Sequence, residues 1–459
     1  MPIDSEPDEN PLLGSEMTPP STVPKSWIKS RVFKSFGMVL LLELGFLALS
    51  LLAGAVPNSA ITSHLQSAIK GGEWSAIDYS KGTQGDQLDH YTECIALSIG
   101  LGRSGHPGLV GRAIADPQLG PCDIAVPALR AWQGKSAAYQ DYFRYWNGYT
   151  VLTRPILAIA GVRALRIVSA ILLWLSVITY FYILVRRVNW LTALALAVPL
   201  FATVDFWDLP GSIPHALSMG TAFGGAALIV AKTTPGVGKP RALPMGVDPS
   251  WLMWPVLAGC LYGFVDLMTN PPLAWMLSAF SCGLVVLSRA NSFDAFKASA
   301  ASALTWMVGY GGTWAFKWLI DIIAFGWKAF DTQVIHEITY RAGGAASPMQ
   351  VARINLYFWV GPFHHRSLIA AILIGTALMI MVWRSKLSGA LLAIAVGWPA
   401  VLTFLWFSIV KEQSFIQAFF AYRSLGMSLA VIVCALVAGG SISSTTNRVP
   451  TKSLMEPGH

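Results

Sequence analysis

Charge is what this chain has least of. Asp, Glu, Lys and Arg together make up 12% of its 459 residues, against roughly 25% in an ordinary soluble domain. With 54% apolar residues, 18 Trp and a mean hydropathy of +0.54, there is more apolar surface than one core can hide, so the surplus must face lipid. A single soluble domain is excluded. Cysteine is scarce as well, and five residues are too few for a disulfide mini-scaffold. The net charge of +8 is spread along the chain rather than gathered in one basic patch, which speaks against nucleic acid as a partner. Phosphate-cradling GxxxxGK[ST], HExxH, GxSxG and CxxC motifs are all missing, which removes support from ATP-driven transport, zinc proteolysis and α/β-hydrolase chemistry.

Long apolar runs are abundant. A bilayer core takes about 20 mostly apolar residues per helical span, and the sequence offers ten such stretches: 36–56, 164–185, 188–204, 213–231, 251–270, 272–288, 298–325, 367–383, 388–410 and 424–440. The expected fold is therefore an all-α integral membrane protein. Basic residues alternate between connections: Lys25, Lys29, Arg31 and Lys34 before the first span, then Arg186/Arg187, Lys232/Lys239/Arg241, Arg289/Lys297, Arg384/Lys386 and Arg448/Lys452. By the positive-inside rule these ends and both termini are cytoplasmic. A cleavable signal peptide competes at the start, because Ala53-Gly54-Ala55 has the look of a cleavage site. The polar lead is too long and the apolar run too extended for one.

The expected organisation is a disordered cytoplasmic tail over 1–32, a polytopic membrane domain over 33–440 and a cytoplasmic tail over 441–459. Two long external segments, 57–163 and 326–366, interrupt the membrane domain, and their aromatic content argues against disorder. The working face is thus expected outside.

Within 57–163, the stretch 87–100 has helical periodicity and sets Asp89 and Glu93 one turn apart. On a helix lying along the outer leaflet they suit a general base or a shared divalent metal such as Mg or Mn; the same pattern also fits a solvated helix face with capping acids. Tyr139 to Tyr149, including Arg144, Tyr145 and Trp146, leads into Arg154 and reads either as an aromatic belt or as a sugar-stacking platform with arginines aimed at phosphate. Asp205, Asp208 and Asp266 sit at the ends of spans, where an ionisable group is costly and hence a functional candidate. Asp266 has no local partner, whereas Lys317 and Asp321 are expected to pair with each other. Arg341, Arg353, His364, His365, Arg366, Lys411 and Arg423 lie outside against the rule, placed either to hold a lipid phosphate or to pair with external acids. Cys94 and Cys122 share the first external segment and could form a disulfide, while Cys260, Cys282 and Cys434 read as packing residues.

This arrangement resembles the GT-C superfamily of multispan glycosyltransferases, which use polyprenyl-phosphate-linked sugars and carry an essential Asp or Glu in the first external loop. Asp89 and Glu93 match that position, with Asp86 nearby, although the acids are split as Asp-x-x-x-Glu where many GT-C families have adjacent ones. The strings Leu-Asp-His-Tyr-Thr-Glu, Tyr-Phe-Arg-Tyr-Trp-Asn-Gly-Tyr-Thr-Val-Leu-Thr-Arg-Pro, Val-Asp-Leu-Met-Thr-Asn-Pro-Pro and Ala-Tyr-Arg-Ser-Leu-Gly-Met-Ser are similar to a family of uncharacterised bacterial multispan membrane proteins. The resemblance implies transfer of a sugar from a polyprenyl phosphate to a glycan or lipid acceptor on the external face of the bacterial cytoplasmic membrane. Asp89 and Glu93 would be catalytic. Arg144, Tyr145, Trp146, Arg154, Asp266, Arg341, His364, Arg366 and Arg423 would bind substrate. A transporter or flippase for a lipid-linked glycan, or a non-catalytic envelope-assembly subunit, would share much of the same pattern.

The topology has a direct test. A periplasm-active reporter fused after residue 77 should be active and a cytoplasm-active one silent; the reverse outcome would put Asp89 in the cytosol and remove the external reading.

Overall fold

The computed structural model describes residues 25–77, 89–102, 106, 108–132, 141–233, 249–361 and 365–446. Among them all regular structure is helical. The chain begins with α1 (Lys25–Ala55), α2 (Asn58–Lys70), α3 (His90–Ser98), α4 (Gly108–Ile114) and α5 (Cys122–Arg130). A central block follows: α6 (Thr150–Arg187), α7 (Trp190–Thr203), α8 (Ile213–Lys232), α9 (Met253–Val265), α10 (Pro271–Leu287) and α11 (Ser292–Phe325). Short α12 (Trp327–Phe330), α13 (His336–Gly343) and α14 (Pro348–Val360) lead to α15 (His365–Gly397), α16 (Leu402–Ile409), α17 (Lys411–Ile416), α18 (Ala418–Ala421) and α19 (Arg423–Thr446). Helix α1 starts at Lys25, inside the segment expected as a tail.

Six of the ten expected stretches coincide with helices long and apolar enough to cross a bilayer: Phe36–Ala55, Thr150–Arg187, Ile213–Lys232, His365–Trp383, Gly389–Ile409 and Ala418–Gly440. Several such helices make this an all-α protein of the multi-pass membrane type. Three more stretches are shorter apolar helices, α7, α9 and α10. At 1.5 Å per residue, 13 to 17 residues reach roughly 20–25 Å, less than a ~30 Å hydrocarbon core. The tenth, 298–325, lies in α11, whose Lys317 and Asp321 interrupt its apolar run. Even so, α11 exposes Leu304, Val308, Leu319 and Ile323 along its length.

Burial sorts the helices. α10 is buried from end to end, as are most of α8 and the apolar part of α19, whereas α1 and the first part of α15 turn leucines, isoleucines and valines outward. The two parts of α15 flank α19 and fold back on each other. A Cβ added to Gly440 would lie 3.2 Å from Met381 Cα, and one on its neighbour Gly439 would lie 2.5 Å from the Gly389 carbonyl; residues eight apart in a straight helix would be about 12 Å apart. α9 and α11 cross more closely still. A Cβ on Gly259 would fall 2.1 Å from the Trp306 carbonyl, and one on Gly309 2.1 Å from that of Val256, a small-residue crossing of the membrane-helix kind. In α6, Gly161 has φ +78°, a left-handed conformation open to glycine, and it divides a first turn set from the long apolar part.

The 57–163 segment builds its own core from Ile61, Leu65, Trp74, Ile95, Val126 and Leu129, closed by the Cys94–Cys122 disulfide with Cα atoms 5.2 Å apart. It is fastened to one end of the bundle. Arg154 donates to the carbonyls of Ala53, Val56 and Ile99 at 2.9, 3.0 and 3.1 Å, and Gly148 N donates to Phe264 O at 2.8 Å. Removing the disulfide by Cys94→Ser or Cys122→Ser should lower stability by about 2–5 kcal/mol, read as a fall in melting temperature in detergent that reductant reproduces in the parent and not in the variants.

Candidate functional site

Asp89 is the N-cap of α3, where an Asp is favoured because its carboxylate satisfies N–H groups that have no intrahelical partner. It accepts from Thr92 N at 2.9 Å and from the Thr92 hydroxyl. The sequence Ser-Ile-Pro-His at the start of α8 brings a second element to it: His215 Nε2 lies 2.8 Å from Asp89 Oδ2, and Ser212 Oγ donates to the Asp89 carbonyl at 3.3 Å. Both side chains are 2% exposed or less. Burial alone would raise the Asp89 pKa, but the hydrogen bond and charge of His215 together with Thr92 outweigh it and hold the carboxyl below its ordinary value.

Glu93, fully buried, turns to a different partner. Arg166 from α6 grips it with Nε–Oε1 at 3.0 Å and Nη2–Oε2 at 2.8 Å, and His90 Nδ1 stands 3.4 Å away. Burial again pushes its pKa up, and His90 and Arg166 bring it net below the ordinary range. The expected helix face offering two carboxylates at the lipid headgroups is therefore not what forms: α3 is buried from Thr92 to Ser98 because the disulfide core closes around it. Nor does the donor set fit a shared divalent ion, since the oxygens of each carboxylate already accept from their own partners. Among the described residues no three His, Cys, Asp or Glu converge.

The arginines divide into two groups. Arg144 and Arg341, almost two hundred residues apart, meet around Glu337: Arg144 Nη1 is 3.8 Å and Arg341 Nε 2.9 Å from its carboxylate. Arg144 also lies over the Tyr142 ring at 4.2 Å and the Tyr145 ring at 5.5 Å. Arg341 reaches Gln413 Oε1 at 2.5 Å. Arg154 and Arg366 have structural partners instead. Arg154 serves the backbone carbonyls above and Asn58 Oδ1 at 2.6 Å; Arg366 bonds Asp205 and the Trp359 carbonyl at 3.0 Å. Arg423, 3% exposed, lies 5.6 Å from the Tyr422 ring. Trp146 points into the interior, donating to Thr313 O at 2.9 Å beside Phe46 and Phe264, whereas Tyr145 sits edge-on to Trp314 at 5.4 Å. Lys317 pairs with Asp321 at 2.5 Å, as expected, and also donates to Ile114 O at 3.1 Å. His364 and Asp86 lie outside the described residues.

A small cleft, with room for about one water molecule, opens between the Met268–Pro272 turn and α16–α18, lined among others by Thr269, Gln413 and Phe420. Each of the three leads back to an ionisable residue. Thr269 donates to Asp266, with its backbone N–H at 3.1 Å; Gln413 bonds Arg341; and Phe420 lies edge-on to His215 at 5.3 Å. Asp266, Arg341 and His215 thus lie one layer behind the cleft wall.

Sequence reasoning missed His215, whose signal was a histidine in an otherwise apolar stretch. It also missed Glu43, an acid inside the first apolar run, which is buried in α1 and accepts from Thr313 Oγ1 at 2.5 Å. Asp116 was missed too. It sits between α4 and α5 in a left-handed conformation, φ +45°, and accepts from Asn147 Nδ2 at 3.0 Å. Burial raises its pKa to about 8 despite the lowering influence of Lys317 and Asn147. As pH rises from the ordinary carboxylate range towards about 8, the unfolded chain gives up this proton and the folded chain keeps it, so the fold loses stability across that window. Asp116→Asn removes the titration: its melting temperature relative to the parent should climb with pH up to about 8 and then level off. A pH-independent difference would show that the buried carboxyl is not neutral.

No family model matches the chain, and no curated protein or solved structure is detectably similar to it.

Proposed function

We propose that the chain is a membrane glycosyltransferase of GT-C type, moving a sugar from a polyprenyl phosphate to a glycan or lipid acceptor on the external face of the bacterial cytoplasmic membrane. The observation that carries the reading is the buried Asp89–His215 pair beside a cleft whose Gln413 wall is bonded to Arg341. A carboxylate on Nε2 fixes the imidazole tautomer and leaves Nδ1 as the proton acceptor. In the proposed reaction the acceptor hydroxyl attacks the anomeric carbon. Its proton passes to His215, whose positive charge Asp89 balances, and the bond from the anomeric carbon to the phosphate oxygen breaks with its electron pair on the departing polyprenyl phosphate. Arg341 and Arg144 supply cations for that phosphate. Ten spans with both termini cytoplasmic belong to the same reading, as does an external site; a disulfide between Cys94 and Cys122 supports the last, since such bonds persist in oxidising compartments. No step runs through a metal.

One observation favours a transporter instead: Glu43 and the Lys317–Asp321 pair are buried within helices that pack on one another, and ionisable groups at such positions often mark ion pathways. The two readings separate experimentally. In vesicles supplied with polyprenyl-phosphate sugars of several kinds, Asp89→Asn should cut sugar transfer by a factor on the order of 10³ while insertion and melting temperature stay near the parent's, because Asn still accepts from Thr92 and its amide N–H can donate to His215 Nε2, which keeps the contact but puts the imidazole proton on Nδ1. Full transfer by that variant would remove the assignment, and lipid-linked glycan crossing the membrane without transfer would establish the transporter.

A further inference from the structure

Between α9 and α10 the chain leaves helical geometry inside the protein. Both helices are short and apolar, α10 is buried from end to end, and the link between them begins with Asp266, itself buried. A helix broken inside a bundle presents the carbonyl-rich end of its first half, which favours a cation. The link is poor in donors as well. Pro271 and Pro272 occupy the first two positions of α10 and have no N–H to offer. Met268 holds a left-handed backbone with φ +58°, strain of the kind that collects at ligand sites.

The polar atoms around Asp266 come from four elements and do not satisfy one another. Its Oδ1 accepts from Thr269, both from the backbone N–H at 3.1 Å and from the hydroxyl. Ser218 from α8 and Tyr262 from α9 reach towards the same carboxyl without closing a hydrogen bond: Asp266 Oδ2, Ser218 Oγ and Tyr262 Oη are each buried with no partner. Tyr310 from α11, on a ring 6.2 Å from that of Tyr262 and in the field of the same carboxyl, adds a fourth such oxygen. Asn270, beside the Tyr262 hydroxyl, adds a fifth in its Oδ1. All five residues are 5% exposed or less. Buried polar atoms in folded proteins are satisfied, so open oxygens gathered about one carboxyl point to a bound species that takes their lone pairs. The charge selects it. The groups acting most strongly on Asp266 are Thr269, Ser218 and Tyr262, all neutral, and a buried carboxylate without a counter-ion is costly. One positive charge balances it, whereas a divalent ion would leave a surplus in apolar surroundings. Carboxylate, hydroxyl and amide oxygens are ligands for hard cations.

We propose that the α9–α10 link binds a single alkali cation, held by Asp266 Oδ2 and the hydroxyls of Ser218 and Tyr262, with the oxygens of Asn270 and Tyr310 beside it. The site stands on these atoms alone, and it is the same whether the chain transfers a sugar or transports a glycan.

The test melts the full chain in detergent at one pH and one ionic strength, in choline chloride and with the choline replaced stepwise by lithium, sodium, potassium or magnesium. At least one alkali cation should raise the melting temperature saturably above its value in choline, as a ligand bound by the folded chain alone does. Asp266→Asn should abolish the rise. Ser218→Ala and Tyr262→Phe should each move its half-saturation to about tenfold higher cation concentration. Neither hydroxyl has a hydrogen bond to lose, so both variants should fold like the parent, and they carry the comparison should Asp266→Asn fail to fold. Equal melting temperatures in every chloride would leave the link to a water or a proton and overturn the proposal. So would a rise given by magnesium and by no alkali cation, or parent-like half-saturation in both hydroxyl variants.

Discussion

The contact on which the remaining architecture of the site depends is the 2.8 Å hydrogen bond between Asp89 and His215. It joins the first turn of a short helix, folded from the long segment after α1, to the first turn of a central helix more than a hundred residues later. Both groups are buried, so neither can fall back on water, and separating them would leave a carboxylate in an apolar setting at a cost of several kcal/mol. The pair ties α3 to α8 beside the Arg154 and Gly148 attachments of the same segment, and Phe420 lies edge-on to its imidazole at 5.3 Å. Its carboxylate has two partners at once, the first turn of α3 and the imidazole of α8.

Helix α11 is the second organiser. Trp306, Tyr310, Trp314 and Trp318 follow at four-residue intervals, with successive ring centroids 5.1, 5.7 and 5.5 Å apart. Since 3.6 residues make a turn, they form a ladder along one side, joined by Tyr145, Tyr262 and Trp406. The neighbouring row, Gly309, Thr313, Lys317 and Asp321, takes the close crossing with α9, the Glu43 carboxylate and the buried ion pair. One helix therefore carries an aromatic wall and a polar seam side by side. That mixture is why its apolar run is broken although its outer face still turns leucine, valine and isoleucine outward.

Much of the fold was legible along the chain. The stretches 213–231 and 367–383 correspond to Ile213–Lys232 and His365–Trp383 because a span needs only a long run of apolar residues, whatever surrounds it. The Lys317–Asp321 pair was legible for the same reason, both partners lying on one helix at i, i+4. The site was legible only in fragments. Asp89 and Glu93 were picked out by their spacing, yet one caps a helix and pairs with His215 and the other pairs with Arg166, and no spacing within 87–100 encodes partners on α8 and α6. Arg154 and Arg366 looked like phosphate ligands because an arginine outside a membrane is conspicuous; their guanidinium groups serve carbonyls and Asp205, a fact set by distant backbone.

What the sequence by itself determined is the solvent each stretch demands, since transfer of apolar side chains from water is additive along the chain. Scarce charge and repeated apolar runs dictate helices in lipid, and the long aromatic intervals between them dictate folded segments at the membrane boundary. Tertiary structure alone decided which polar groups face one another. A buried ion pair or amide needs a partner within about 3 Å in a defined direction, and residues 89 and 215, or 144 and 341, come to one place only when the helices between them have packed.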